Sequence, residues 1–124
     1  MAPYLNLISG VDHVQLAAPP GCEPEARRFY SEILGMEEIA KPEALQGRGG
    51  CWFQCGRQQV HIGVERDFSP ARKAHPAFLA PDLDKLEQLF TLRHIAYERD
   101  SSIPGVKRIY ANDPWNNRLE FIQI

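Results

Sequence analysis

Three histidines and one glutamate lie in stretches that alternate apolar and polar residues, as β-strands do. They are His13, His61, His75 and Glu120. Strand side chains alternate faces, so Leu119 and Phe121 point one way and the carboxylate of Glu120 points the other. An ionised carboxylate in such an apolar strand needs a cationic partner, which is either an arginine or a metal ion. Arg108 and Arg118 are the arginine alternatives.

The elements that position these residues occur twice along the chain. The first copy predicts strands at 11–18, 36–40, 51–55 and 58–65 with a helix from Pro24 to Gly35, and the second predicts strands at 75–80, 95–98, 107–112 and 117–124 with a helix capped by Asp82. His13 and His75 are 62 positions apart, and His61 and Glu120 are 59 apart. The four residues therefore occupy the first and last strands of one repeated unit.

Two units with half-open sheets bury their inner faces best when they pair about a pseudo-twofold axis. Such pairing would bring three imidazoles and one carboxylate into one cleft. These groups are the ligands of divalent transition metals such as zinc, nickel, iron and manganese. We therefore predict an α+β fold of two βαβββ units, about 8–66 and 74–124, whose open curved sheet surrounds a metal cleft within one domain, 1–124.

Several short motifs resemble the vicinal oxygen chelate superfamily, which contains glyoxalases, bleomycin-resistance proteins and dioxygenases. They are Val11-Asp12-His13-Val14, Arg28-Phe29-Tyr30 with Leu34-Gly35-Met36, His75-Pro76-Ala77-Phe78, and Asp113-Pro114 followed by Arg118-Leu119-Glu120-Phe121. The resemblance implies a glyoxalase-like fold, a homodimer, and a divalent metal held by His13, His75 and Glu120 with His61 at the fourth position. Asn116 stands where the family commonly has glycine, and asparagine tolerates the left-handed conformation that such a turn requires.

The resemblance implies an enzyme in which the metal acts as a Lewis acid on a small molecule with adjacent oxygens. His61 and Glu120 are the candidate catalytic residues, and Arg108, Tyr110 and Trp115 flank the expected cleft as candidate substrate contacts. Lyase, isomerase, transferase and oxygenase reactions all fit this description. The alternative is a metal-free binding protein for a drug or metabolite, like the bleomycin-resistance relatives. Bacterial glyoxalase I carries glutamate at the strand position of His61, so this histidine argues against that activity.

Composition limits the possible partners and the cellular location. The chain has 124 residues, a formal net charge of −2 and no cluster of lysines and arginines interleaved with aromatic residues, which disfavours nucleic acid. No stretch approaches the roughly 18 apolar residues of a membrane span, and the first residues lack the pattern of a signal peptide, so we expect a cytoplasmic protein. Cys51 and Cys55 are expected to be buried thiols, and Cys22 is expected to be exposed in a loop.

Overall fold

A computed structural model describes residues 5–123. The first unit begins with strand β1, followed by a helix and three further strands. Its elements are β1 (His13–Ala18), helix α1 (Glu23–Ala26) continuing as a π-helical segment (Arg27–Ile33), β2 (Glu37–Ile39), a 3₁₀ helix (Glu43–Arg48), β3 (Cys51–Cys55) and β4 (Gln58–Val64).

The second unit repeats this order. Its elements are β5 (Ala77–Ala80), α2 (Leu83–Leu92), β6 (Tyr97–Asp100), β7 (Arg108–Asn112) and β8 (Arg118–Gln123). The α2 helix begins as predicted at Asp82, whose side chain accepts a hydrogen bond from the backbone N–H of Lys85. No helix within residues 5–123 is long and apolar enough to cross a membrane.

Each unit forms one four-stranded sheet with the same strand order. The orders are β1-β4-β3-β2 and β5-β8-β7-β6, with the first and last strands of each unit parallel and the other neighbours antiparallel. The prediction of one βαβββ unit used twice is therefore confirmed.

The strand register decides which side chains share a face. His61 of β4 lies opposite Trp52 of β3, and Glu120 of β8 lies between Ala77 of β5 and Tyr110 of β7. The alternate positions of these strands, among them Val60, Ile62, Leu119 and Phe121, belong to the buried hydrophobic core. His61 and Glu120 consequently lie on the sheet faces opposite the core.

Several predicted boundaries differ from the structure. The strand predicted at 75–80 begins at Ala77, so His75 lies in the connection before it, and the strand predicted at 95–98 is shifted to Tyr97–Asp100. Cys22 was predicted to be exposed, which is wrong: only 2% of it is accessible, because it directly precedes α1 and packs into the core. Asn116 adopts the left-handed conformation that its turn was expected to need, with φ of 69°.

Candidate metal and substrate site

His75 and Glu120 face each other across the start of β5 and the middle of β8. The Nε2 atom of His75 lies 3.0 Å from Oε1 of Glu120. The other ring nitrogen, Nδ1, lies 2.7 Å from the backbone carbonyl of Lys73. Because a carbonyl oxygen can only accept, Nδ1 carries a proton and donates it there. Nε2 can therefore face a carboxylate favourably only with a second proton or with a cation between the two groups.

Glu120 is buried and surrounded by groups that stabilise its charge. Burial opposes ionisation, but the interactions with His75, Tyr110 and Arg108 outweigh it, so the pKa of Glu120 is lowered. The Arg108 contact is long, with 3.4 Å between Nη1 and Oε2 of Glu120, and Nη2 lies 3.4 Å from Oδ2 of Asp100. The sequence alternative of an arginine partner is thus realised by Arg108, together with His75.

His13 and His61 form a second pair on the first sheet. Their ring centroids are 4.1 Å apart, and the other face of His61 stacks on Trp52 with 3.7 Å between centroids and 4° between planes. Nδ1 of His13 lies 2.9 Å from Oδ2 of Asp12. Because Nδ1 faces an acceptor, Nε2 is the nitrogen of His13 that is left to bind a metal, the arrangement that commonly orients metal-binding histidines.

His61 is buried, and burial together with the neighbouring His13 lowers its pKa. The imidazole is therefore neutral at pH 7, which is the form that binds metals or accepts a proton. Its Nε2 atom lies 2.9 Å from Oε1 of Gln59. In the stack the two imidazole rings lie nearly parallel, so both nitrogens could reach one ion only if the rings turned out of this stack.

The structure thus arranges the four predicted ligands as two pairs, not as one group. Among residues 5–123, no three His, Cys, Asp or Glu side chains lie close enough to hold one metal ion. The chemistry of the donors nevertheless fits a divalent metal, because two ligands at about 2.0–2.1 Å from one ion lie roughly 3 Å apart. His75 and Glu120 have this spacing. Each pair supplies two donors, so a site with three or four protein ligands needs both pairs.

The predicted substrate contacts separate in the structure. Tyr110 and Arg108 lie on the face of the second sheet that carries Glu120, whereas Trp115 packs against the hydrophobic core. Tyr110 lines a cavity of about 630 Å³, together with Arg118. Sequence reasoning did not assign Arg118 to substrate, although its position two residues before Glu120 in one strand places both on the same face. Trp52 was also missed, and its cross-strand position opposite His61 became visible only with the register.

Comparison with known proteins assigns the chain to a family. A model of the glyoxalase/bleomycin resistance protein/dioxygenase superfamily matches residues 10–121. The chain belongs to this superfamily. A search of curated proteins finds no match.

Several solved structures share the fold of this chain. A Bacillus anthracis protein described as belonging to the glyoxalase family is 53% identical, with a TM-score of 0.92 over 99% of this chain and 98% of that one. Lactoylglutathione lyase from Agrobacterium tumefaciens is 22% identical, with a TM-score of 0.74 over 94% and 95% of the two chains. A genomically encoded fosfomycin resistance protein from Listeria monocytogenes is 18% identical, with a TM-score of 0.77 over 95% of each chain. The last two similarities concern the fold alone.

Proposed function

We propose that this superfamily member is a divalent-metal-dependent enzyme that acts on a small molecule with adjacent oxygens. The observation that carries the proposal is the placement of His75, whose Nδ1 donates to a carbonyl while Nε2 faces the ionised Glu120 at 3.0 Å. A metal ion at this position would be bound by both Nε2 of His75 and the carboxylate of Glu120. His13 supports the proposal, because its Nδ1 is likewise occupied by an acceptor, Asp12.

A complete ligand set would come from two copies of the chain. Each pair offers two donors, and no group of three forms within the described part of one chain. In a symmetric homodimer, His13 and His61 of one copy would meet His75 and Glu120 of the other, and the twofold axis would make two equal sites. The metal would supply Lewis acidity toward a substrate oxygen. With His13, His75 and the ionised Glu120 as ligands, His61, which is neutral at pH 7, would be left to accept a proton from the substrate.

Metal analysis of the purified protein tests this function. Protein prepared without chelator should carry up to about one zinc, nickel, manganese or iron ion per chain, and the metal should raise the melting temperature because it binds only the folded state. His75→Ala should lose the metal. His94→Ala is the matched control, since His94 is exposed at the end of α2. Absence of metal, with no thermal shift on adding these ions, would favour a metal-free binding protein instead.

Mixing two defective variants tests whether the site spans two chains. His13→Ala and Glu120→Gln should each fail to bind metal. After unfolding and refolding together, each heterodimer would contain one intact site, so random pairing should restore about one quarter of the wild-type metal content. Sites formed within one chain would recover no metal in this mixture.

A further inference from the structure

A cavity of about 630 Å³ lies beside Tyr110, on the second sheet. Its walls come from β6, β7, the start of β8 and the loop at residues 70–72 between the two units. Tyr110 is the cross-strand neighbour of Glu120 and also lines the cavity. One tyrosine ring therefore connects this space to the His75 and Glu120 pair.

The guanidinium of Arg118 lies over the Tyr110 ring, with its central carbon 4.2 Å from the ring centroid. Such stacking fixes the orientation of the guanidinium plane. No carboxylate within residues 5–123 comes within 4.0 Å of Arg118, whereas Arg108 contacts both Glu120 and Asp100. The hydrogen-bond donors at the edge of the Arg118 plane are therefore available to a ligand.

The cavity has more cationic than anionic side chains. Arg72 and Arg118 line it, and Glu98 is its one acidic lining residue in the described part of the chain. Asn112 and Asn116 add amide groups that can donate hydrogen bonds. A planar guanidinium held against an aromatic ring binds an oxyanion through two parallel N–H donors, which favours carboxylate, phosphonate or phosphate.

We propose that this cavity binds an oxyanion group of the substrate, with Arg118 as the principal ligand and Tyr110 as the ring that positions it. The inference rests on the proposed function, because the substrate whose anionic group it places here is the one expected to react beside Glu120. Tyr110 separates the anionic group from Glu120. It narrows the substrate class to small molecules that combine adjacent oxygens with a carboxylate, phosphonate or phosphate.

Binding to metal-free protein tests this inference separately from the metal site. The ¹⁵N-labelled full-length chain, freed of metal with EDTA and then of EDTA, is titrated with phenylphosphonate while the arginine Nε–H signals are followed by NMR. Benzyl alcohol, which has an aromatic ring but no charge, is the matched probe. We expect phenylphosphonate to shift the Arg118 signal and to bind at least about tenfold more tightly than benzyl alcohol, with an affinity that falls as salt is added.

Variants assign the binding to Arg118. Arg118→Gln should weaken phenylphosphonate binding about tenfold or more, and Arg118→Lys should weaken it less because the charge remains while the planar donors are lost. Tyr110→Leu, which removes the ring under the guanidinium, should also weaken it. Arg28→Gln, at an exposed position of the π-helical segment that continues α1, is the control and should bind like the wild type.

Two results would overturn the inference: equal affinity in the wild type and a folded Arg118→Gln variant, or equal affinity for the charged and uncharged probes. Either result would leave metal binding by His75 and Glu120 untouched. Conversely, absence of metal would refute the proposed enzyme while anion binding at Arg118 could still be measured.

Discussion

The imidazole of His61 lies flat against the indole of Trp52, with 3.7 Å between ring centroids and 4° between the planes. Protonated imidazole quenches tryptophan fluorescence at such contact. Because burial and His13 lower the pKa of His61, the midpoint of this quenching should lie below the ordinary histidine value of 6.5. A fluorescence titration of wild type and His61→Gln checks this, with Trp52→Phe isolating the signal of Trp115.

The same pKa shift makes stability depend on pH. Between the lowered pKa of folded His61 and the ordinary value of 6.5, the unfolded chain binds more protons than the folded chain. This contribution to stability is therefore complete above that ordinary pKa and declines as the pH falls through the window. His61→Gln should lose this part of the pH dependence.

The fluorescence titration has a clear contrary outcome. Fluorescence quenching in His61→Gln equal to that of the wild type would show that a group other than His61 causes the quenching.

Glu120 is a predicted metal ligand and also an observed ion-pair partner of Arg108, and the variant Glu120→Gln tests both roles. The amide keeps the volume, so we expect a folded protein that no longer binds metal. In metal-free conditions the variant should lose roughly 1–3 kcal/mol of unfolding free energy, because the Arg108 charge, 14% exposed, loses a counterion. Glu38→Gln, in an exposed pair with Arg27, should cost about 0–1 kcal/mol.

Metal analysis and denaturation of the same preparations separate the two roles of Glu120. Metal uptake that is unchanged in Glu120→Gln would contradict its assignment as a ligand, whatever the loss in stability. An unchanged free energy of unfolding in the metal-free variant would instead show that the long contacts to Arg108 contribute little.

Strand parity and the internal repeat were sufficient to predict the βαβββ units. They also predicted that His13, His61 and Glu120 lie on the sheet faces opposite the core. Parity does not fix distances across the molecule, so it could not show that the four residues form two pairs. Strand parity also cannot determine the orientation of His75, because this residue precedes β5. Its orientation comes from the hydrogen bond to the Lys73 carbonyl, a loop contact that no periodic pattern encodes.

Side-chain choices between neighbouring partners were equally beyond the sequence. Arg108 and Arg118 both flank Glu120, and either could have been its ion-pair partner. In the structure Arg108 contacts the carboxylate, while Arg118 stacks on Tyr110. Which arginine reaches Glu120 depends on the strand register. Arg118 lies opposite Asn112, and Arg108 lies opposite Ile122.

A buried hydrogen-bond network joins the two units and should contribute measurably to stability. Tyr30, in the π-helical segment, donates its hydroxyl proton to Oδ2 of Asp113 at 2.8 Å, and the side-chain amide of Asn117 donates to the same oxygen and to the carbonyl of Ala17. Tyr30→Phe removes a donor from a buried carboxylate, so we expect a loss of about 1–3 kcal/mol in urea denaturation. Tyr97→Phe is the control, and equal losses in both variants would contradict a specific role for the network.

Gly50 and Gly105 allow a matched test of backbone packing. Both have positive φ, 85° and 78°, but a Cβ at Gly50 would lie 2.0 Å from the carbonyl oxygen of Ile62, whereas nothing lies within 4 Å at Gly105. Gly105→Ala should cost roughly 1 kcal/mol, from backbone strain alone. Gly50→Ala should cost roughly 3 kcal/mol or more, or prevent folding, because β4 must shift. Similar denaturation midpoints for the two variants would refute the steric difference.

The residue at position 61 should keep glyoxalase I activity low. His61 occupies the strand position at which bacterial glyoxalase I is expected to carry glutamate, and its lowered pKa makes it a neutral imidazole at pH 7 instead of an anion. A neutral group there weakens proton abstraction from a metal-bound hydroxy-carbonyl. We therefore expect little conversion of the methylglyoxal–glutathione hemithioacetal with nickel or zinc, and a gain in His61→Glu. Turnover at about 1–1000 s⁻¹ in the wild type, lost in His61→Ala, would show that the histidine performs the role of the glutamate.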